Sequence, residues 1–277
     1  MKHNLIGISG RSGSGKDTVG SVLQWIATSK TGFGNGTYSN KECVEWLNGK
    51  YPGDTSIQKI SGYQIKKFAD KLKDMVCLLI GCTREQLEDR EFKEKELGEE
   101  WWFYKFNDIM LPVSDRRLFI RTVNSIVFSP LDEAEVDTYI IKLTPRKLLQ
   151  LLGTEAGREI IHPNIWVNAL FADYSDGSIE DLGNKLKLNH LSKWIITDVR
   201  FPNEAKAIKD RGGLIIRVNR DSGQALIDKG IHIPKWNCTE EHSSETSLDN
   251  YDGFGHVIDN NGSIEELVEK VKQLKLV

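Results

Sequence analysis

The residues with the clearest chemistry lie near the start of the chain and form a pattern typical of a phosphate-binding loop. Residues 10–16 read GRSGSGK and fit G-x-x-x-x-G-K. The glycines allow a tight turn that points backbone N–H groups at an anion, and Lys16 adds a positive charge suited to the β- and γ-phosphates of a nucleotide. We therefore predict that ATP is bound by Arg11, Gly13, Ser14, Gly15, Lys16, Asp17 and Thr18.

Asp17 stands where phosphate loops usually carry a serine or threonine whose hydroxyl ligates Mg²⁺. We predict that Asp17, acting through water, or Thr18 behind it holds the metal. The aspartate argues against a GTPase or a motor ATPase, because both depend on that hydroxyl for switching metal contacts. The sequence also lacks the guanine-reading pattern N-K-x-D.

The predicted loop lies between a strand and a helix, as a phosphate loop requires. Residues 5–9 (LIGIS) are a short apolar run typical of a buried parallel strand. A helix that begins near Asp17 is indicated by apolar residues at helical spacing, namely Val19, Val22, Leu23 and Ile26.

The last third of the sequence alternates strands with helices. Strands are predicted at 193–199, 214–218 and 255–259, and a helix at 203–211. Ser263 and Glu266 form a capping box for a final helix. The alternation predicts an α/β fold with a parallel sheet and helices on both faces, which is a three-layer αβα core of the P-loop type.

The middle of the sequence is harder to interpret. Residues 63–81 fit either a strand that ends at Ala69 with Asp70 as N-cap, or one continuous helix. The charge-dense segment 84–108 predicts a surface helix that leads into another excursion of the chain. Thr144 and Pro145 predict the start of another helix.

Composition and charge limit the classes of function. The 277 residues are 39% hydrophobic, enough for one large domain over 1–277, with insertions predicted at 28–62 and 99–140. The first insertion is expected to be a mobile loop outside the core. The net charge of −3 argues against nucleic acid as the main partner. The cysteines lack zinc-ligand spacing, and no signal peptide or membrane-spanning run is visible, so we expect a cytoplasmic protein.

Several segments together resemble the bacteriophage deoxynucleoside monophosphate kinases. They are SGRSGSGKDT, FADKLKD, LLQLLGTEAGREIIHPNIWVNAL, ITDVRFPNEAKAIKDRGG and EHSSET, within residues 9–246. The resemblance implies a kinase that transfers the γ-phosphoryl group of ATP to a deoxynucleoside monophosphate with Mg²⁺, and it accounts for the aspartate of GKDT. For a phage protein the compartment is the host cytoplasm. The resemblance is also compatible with a lid segment at residues 220–247 and with a homodimer.

The end of the strand at 193–199 supplies further candidates. Asp198 is predicted to reach Mg²⁺ through water or a substrate hydroxyl, the alternative being to cap the next helical turn. Arg200 points the same way, and its guanidinium could clamp the monophosphate or form a surface ion pair. Glu204 is expected to anchor Arg200 or a sugar hydroxyl, or only to match the helix dipole.

Four more residues are predicted to contact the acceptor nucleotide. Arg158 follows a Gly-Thr-Glu break in its helix and is a better candidate for a phosphate ligand than Arg146, which is equally compatible with a surface role. Together with Lys16, Asp198 and Arg200, Arg158 is also a catalytic candidate. Trp166 could stack on the base or be buried in the core. Lys71 could line the acceptor pocket or lie on a solvated helix face.

Three alternative functions stay open from the sequence. One is a kinase of another small molecule, such as dephospho-coenzyme A. Another is a regulatory module that binds ATP without turnover. The third, an ATPase acting on DNA, is disfavoured by the acidic charge balance.

Overall fold

The computed structural model describes residues 3–29, 39–49, 60–127, 131–181, 186–188, 190–221 and 246–277. The chain divides into two compact units, Met1–Asp70 with Trp166–Val277 and Lys71–Ile165. Most of the predicted lid at 220–247, with the HSSE motif, lies outside the described residues. So do 30–38 and 50–59 of the first predicted insertion.

The helices and strands follow one another along the described residues in a mixed order. The first part contains β1 (Leu5–Ser9), α1 (Lys16–Ser29), α2 (Asn40–Leu47), β2 (Gln64–Lys66), α3 (Asp70–Ile80), α4 (Arg84–Glu88), α5 (Arg90–Glu94), β3 (Phe103–Phe106), β4 (Ile109–Pro112), α6 (Arg116–Asn124), α7 (Glu133–Val136) and β5 (Ile140–Ile141). The rest contains α8 (Pro145–Gln150), a π-helix at Leu151–Ile161, α9 (Ile165–Phe171), β6 (Ile179–Asp181), β7 (Leu186–Leu188), β8 (Trp194–Val199), α10 (Pro202–Asp210), β9 (Leu214–Asn219), β10 (His256–Asp259) and α11 (Ile264–Gln273).

The first unit is built on a five-stranded sheet in the order β10-β9-β1-β8-β2, and every strand pair in it is parallel. β1 lies at its centre, where Gly7 pairs with Ile196 of β8 and Ile215 of β9. Since the carboxyl ends of parallel strands meet at one edge, the loops that follow these strands lie along that edge.

Side chains of the sheet alternate between two apolar cores. Ile6, Ile8 and Ile195 pack with α1, α2 and α11, whereas Leu5 and Ile196 pack with α9 and α10. The alternation follows the twofold period of a strand and buries both faces, as parallel sheets require. The predicted three-layer αβα core is therefore confirmed.

The ambiguous segment 63–81 is a strand followed by a helix. β2 ends at Lys66, before the predicted end at Ala69, and α3 begins at Asp70, whose carboxylate accepts a hydrogen bond from the Lys67 N–H at 3.0 Å. The surface helix predicted within 84–108 is divided into two short helices, α4 and α5, which precede β3. Thr83 and Asp89 each cap a separate short helix, because each side chain accepts a hydrogen bond from the backbone N–H three residues ahead.

The predicted helix start at Thr144 is confirmed, since its hydroxyl accepts from the Lys147 N–H and Pro145 is the first helical residue. No break separates Arg158 from this helix. Instead, α8 continues directly into the π-helix at Leu151–Ile161, whose C-cap is His162. The Gly-Thr-Glu segment is thus helical, which corrects the predicted interruption.

The prediction that 28–62 lies wholly outside the core is wrong for residues 40–47. They form α2, whose capping box pairs Ser39 with Glu42. Cys43 of this helix is fully buried in the core beside α1, with Val44 and Trp46 packed against it. The apolar residues at 43, 44, 46 and 47 do have helical spacing, but the surrounding Gly-, Ser-, Asn- and Lys-rich sequence indicated a loop.

The second unit has a three-stranded antiparallel sheet in the order β4-β3-β5. Its core contains Tyr104 stacked on Phe119, with ring centroids 4.7 Å apart, and the buried Val123 and Val136. The predicted insertion at 99–140 lies in this unit. Among the described residues, none of the helices combines the length and apolarity needed to cross a bilayer.

The burial of α2 predicts the reactivity of its cysteine. Desolvation by burial raises the pKa of Cys43 to about 12, so little thiolate forms at pH 8. Alkylation by iodoacetamide, followed by peptide mass spectrometry, should label the partly exposed Cys77 well before Cys43. Unfolding in urea should remove the difference. Equal labelling of both in the folded protein would show that α2 does not pack on the core.

Candidate active site

The segment between β1 and α1 forms a tight turn with the geometry of a phosphate loop. Gly13 and Gly15 have φ of 77° and 95°, which side chains rarely tolerate. The Ser14 N–H donates to the Arg11 carbonyl at 3.1 Å. The Ser14 hydroxyl is buried and, among the described residues, has no hydrogen-bond partner. A bound phosphate oxygen would satisfy it, so the loop fits the triphosphate of a nucleotide.

Lys16 is the first residue of α1, and its side chain folds back over the loop. It is 8% exposed, and its Nζ donates to the Arg11 carbonyl at 2.7 Å. The ammonium group is therefore held at the loop by a neutral acceptor, which a phosphate oxygen can replace with a stronger, charge-assisted bond.

Asp17 is tied to one strand of the sheet and to the residue that follows another strand. One of its oxygens accepts a hydrogen bond from Thr197 of β8 at 2.7 Å and an ion pair from Lys67, after β2, at 2.8 Å. Partial burial by itself raises the pKa of Asp17, but Lys67, Thr197 and Lys16 outweigh that effect and lower it. The side chain is 69% exposed, so an ionised carboxylate with a second oxygen faces solvent. Thr18 is partly exposed beside it.

Asp198 anchors the turn between β2 and α3. Its two oxygens accept hydrogen bonds from the backbone N–H groups of Phe68 at 2.8 Å and Ala69 at 3.1 Å. Burial raises the pKa of Asp198, although these two N–H groups and Arg200 oppose the rise. The side chain thus caps the turn before α3, a structural role that differs from the predicted alternative of capping the following turn.

Glu204 fixes the backbone at Arg200. It is 1% exposed, and one of its oxygens accepts the N–H groups of Arg200 at 2.8 Å and Phe201 at 3.1 Å. These bonds satisfy the N–H groups of the N-cap residue of α10, Phe201, and of the residue before it, in the manner of the acidic member of a capping box. Of its predicted roles, the anchoring of Arg200 is present as a contact to the backbone.

Arg11 of the loop belongs to a charged triad. Asp249 forms ion pairs with Arg11 at 2.7 Å and with Arg217 at 2.6 Å, and Arg217 also donates to the Ser9 hydroxyl at 3.2 Å. Partial burial by itself raises the pKa of Asp249, but the two arginines outweigh this effect and lower the pKa. Arg11 is consequently held at the rim of the loop by an ionised carboxylate.

The other predicted acceptor ligands lie in different surroundings. Trp166 is 4% exposed, which favours its alternative role in the core. Arg146 forms an ion pair with Glu94 within the second unit, and both side chains are about half exposed, so its surface alternative is favoured. Lys71 is exposed, and Arg158 is partly exposed in the last turn of the π-helix. Their roles toward substrate stay predictions.

Sequence reasoning missed four residues of this site: Lys67, Thr197, Asp249 and Asn260. Lys67 and Asn260 immediately follow parallel strands, and polar residues at that edge are candidates for a site. That signal was available for both. The positions of Thr197 and Asp249 depend on pairings between residues far apart in the sequence, for which no local pattern exists. The described residues contain no group of three or more His, Cys, Asp or Glu side chains arranged to hold a metal.

Comparison with known proteins places this geometry in a family. A family model described as deoxynucleotide monophosphate kinase matches residues 113–271, more than half of the chain. The chain belongs to the deoxynucleotide monophosphate kinase family. It is 25% identical over 261 residues to the deoxynucleoside-5′-monophosphate kinase of Escherichia phage T5, covering 88% of this chain and 84% of that protein.

A second relative is a protein of Acanthamoeba polyphaga mimivirus that is named as a candidate deoxynucleotide monophosphate kinase. It is 26% identical over 169 residues, covering 56% of this chain and 74% of that protein. The resemblance to phage kinases stated from the sequence is thereby confirmed, and the chain is a phosphotransferase. The family model covers Arg158, Asp198, Arg200 and Glu204, whereas the phosphate loop precedes the matched residues.

The two backbone contacts of Asp198 predict a stability change with a defined pH dependence. Asp198→Asn leaves one acceptor oxygen for two N–H groups, so the variant should lose about 1–3 kcal/mol near pH 4. A carboxyl group whose pKa is raised by folding contributes stability below its unfolded pKa and loses that contribution as pH rises through the folded value. The difference in unfolding free energy between wild type and variant should therefore shrink toward pH 7, as measured in urea. A difference that grows with pH would contradict this assignment.

Proposed function

We propose that this kinase transfers the γ-phosphoryl group of ATP to the 5′-phosphate of a deoxynucleoside monophosphate, giving the deoxynucleoside diphosphate and ADP. The phosphate loop, with its buried lysine and a buried serine hydroxyl that no other described residue satisfies, is the observation that carries the proposal. The family supplies the class of acceptor. Because both substrates are small nucleotides of the cellular pool, we place the activity in the host cytoplasm.

The donor half of the reaction is assigned to the loop. Its backbone N–H groups and Lys16 hold the β- and γ-phosphates of ATP, while Arg11 lies at the rim. Exchange of the Arg11 carbonyl for a phosphate oxygen moves the ammonium onto the charge that develops during transfer. No strong general base is needed, because the attacking oxygen of a monophosphate is already anionic.

Magnesium is assigned to Asp17, with Thr18 and, through water, Asp198. When bound, Mg²⁺ would supply positive charge that offsets the charge of the donor phosphates. The exposed, ionised carboxylate of Asp17 fits such a hard cation. Lys67 and Thr197 hold its other oxygen. This pairing lets an aspartate replace the usual hydroxyl without leaving an unbalanced negative charge beside the triphosphate.

The acceptor half is assigned to Arg200 of the first unit, with Trp166 as a further candidate. For Arg158, Lys71 and Arg146 of the second unit, a role toward the acceptor is a prediction from the sequence. Glu204 fixes the backbone from which the Arg200 side chain projects, and a preorganised guanidinium binds two phosphate oxygens at once. Arginine in this position would hold the monophosphate and neutralise the transferring group. Closure over both nucleotides would exclude water and prevent wasteful hydrolysis of ATP.

Replacing Lys16 by Met should lower kcat with ATP and a deoxynucleoside monophosphate by at least about a thousandfold, because the charge that stabilises the transferring phosphoryl group is lost. ADP release measured with all common deoxy- and ribonucleoside monophosphates as acceptors checks the rate and defines the acceptor class. Lys209→Met, an exposed lysine of α10, is the matched control and should retain wild-type rates. Near-normal turnover of the Lys16 variant would remove this residue from the mechanism.

Arg200→Lys should raise the KM for the deoxynucleoside monophosphate by at least about tenfold and leave the KM for ATP nearly unchanged, because lysine cannot form the two-point contact. Steady-state kinetics with each substrate varied in turn provide the measurement. The exposed Arg117 offers the same substitution as a control. An equal rise in both KM values would show that Arg200 does not distinguish acceptor from donor.

A further inference from the structure

Asn260 connects the end of the sheet to the phosphate loop. It directly follows β10, is 8% exposed, and its backbone N–H donates to the Asn219 carbonyl at the end of β9 at 2.7 Å. Its side-chain Nδ2 donates to the Ser14 carbonyl at 2.9 Å. A buried side chain fixed on two strands is thus hydrogen-bonded to the backbone of the loop.

The close approach of Asn260 explains one glycine of the loop. A Cβ atom added at Gly15 would lie 2.5 Å from the Asn260 Nδ2, so the Asn260 amide would have to move. Gly15 also has a φ of +95°. The third glycine of GRSGSGK is therefore favoured by its backbone conformation and by its contact with Asn260, in addition to any bound phosphate.

The geometry of the peptide unit links this contact to donor binding. The Ser14 carbonyl and the Gly15 N–H belong to one planar trans peptide, so they point in opposite directions. When the Asn260 amide holds the carbonyl, the Gly15 N–H is directed away from Asn260. Because the loop binds anions through its backbone N–H groups, the orientation of this peptide decides whether one of them is available.

We propose that Asn260 is a positioning residue for the phosphate donor, which holds the Ser14–Gly15 peptide with its N–H turned toward the triphosphate. This inference rests on the proposed binding of ATP by the loop. It assigns a role in ATP affinity to Asn260, the residue that follows β10. A purely structural role would instead lower stability or the active fraction without separating the two substrates.

Two variants test the proposal. Asn260→Asp keeps the shape of the side chain but replaces the hydrogen-bonding NH₂ group by a carboxylate oxygen, which faces the Ser14 carbonyl and adds negative charge beside the bound phosphates. Asn260→Ala only removes the NH₂ group. We expect the KM for ATP to rise at least about tenfold in the first and about threefold or more in the second. The KM for the monophosphate should stay within about twofold of wild type. Asn168→Asp, on the exposed face of α9, controls for the added charge.

Isothermal titration with ATP and thermal unfolding of the free protein accompany the kinetics. The proposal is overturned if folded Asn260 variants keep the wild-type KM for ATP, or if the KM values for both substrates rise together. It is also overturned if neither variant folds, since Asn260 would then serve folding alone. Absence of ATP binding and turnover in the wild type would instead refute the proposed function itself. The two failures are therefore distinguishable.

Discussion

The structure depends on a backbone turn that must be held open for an anion. Gly13 and Gly15 adopt positive φ, and such a turn is stable only where its surroundings fix it. Here β1 lies at the centre of a parallel sheet and ends in the turn, while α1 leaves it with the Val19 N–H bonded to the Gly15 carbonyl at 2.9 Å. Asn260 then holds the outer side of the turn from the neighbouring edge of the sheet.

Charge balance is the second constraint on this edge. A site for several phosphates needs cations, and cations brought together repel one another unless carboxylates separate them. Asp17 is paired with Lys67, and Asp249 lies between Arg11 and Arg217. In both groups the carboxylate is ionised, because the neighbouring cations lower its pKa. The arrangement keeps the cationic groups ordered before any nucleotide binds.

Much of the fold could be predicted because its signals are local. The apolar runs of β1, β8 and β9 and the capping residues Thr144 and Ser263 act within a few residues, and each of them stands where it was expected. The division of the predicted surface helix into α4 and α5 depends on the caps at Thr83 and Asp89. Helix α2 was missed because its polar surroundings outweighed the apolar face that contains Cys43. The continuous π-helix through Gly153 overrode the break that glycine indicates.

The candidate site also contains features that local sequence predicts and features that it does not. The phosphate loop and the position of Asp198 follow from local sequence, whereas the partner of each residue does not. Asp17 meets a threonine 180 residues away and Asp198 meets the backbone of residue 68, contacts that only the sheet order brings about. Glu204 is the exception, since its contact with Arg200 spans four residues and belongs to a helix start.

A crystal structure of the protein with a non-hydrolysable ATP analogue, Mg²⁺ and a deoxynucleoside monophosphate would test the central claim most directly. The account predicts that the Lys16 Nζ leaves the Arg11 carbonyl and contacts the phosphates, that the Ser14 hydroxyl gains a phosphate partner, and that Asn260 keeps its bond to the Ser14 carbonyl. A triphosphate bound elsewhere, with Lys16 still on the Arg11 carbonyl, would contradict it.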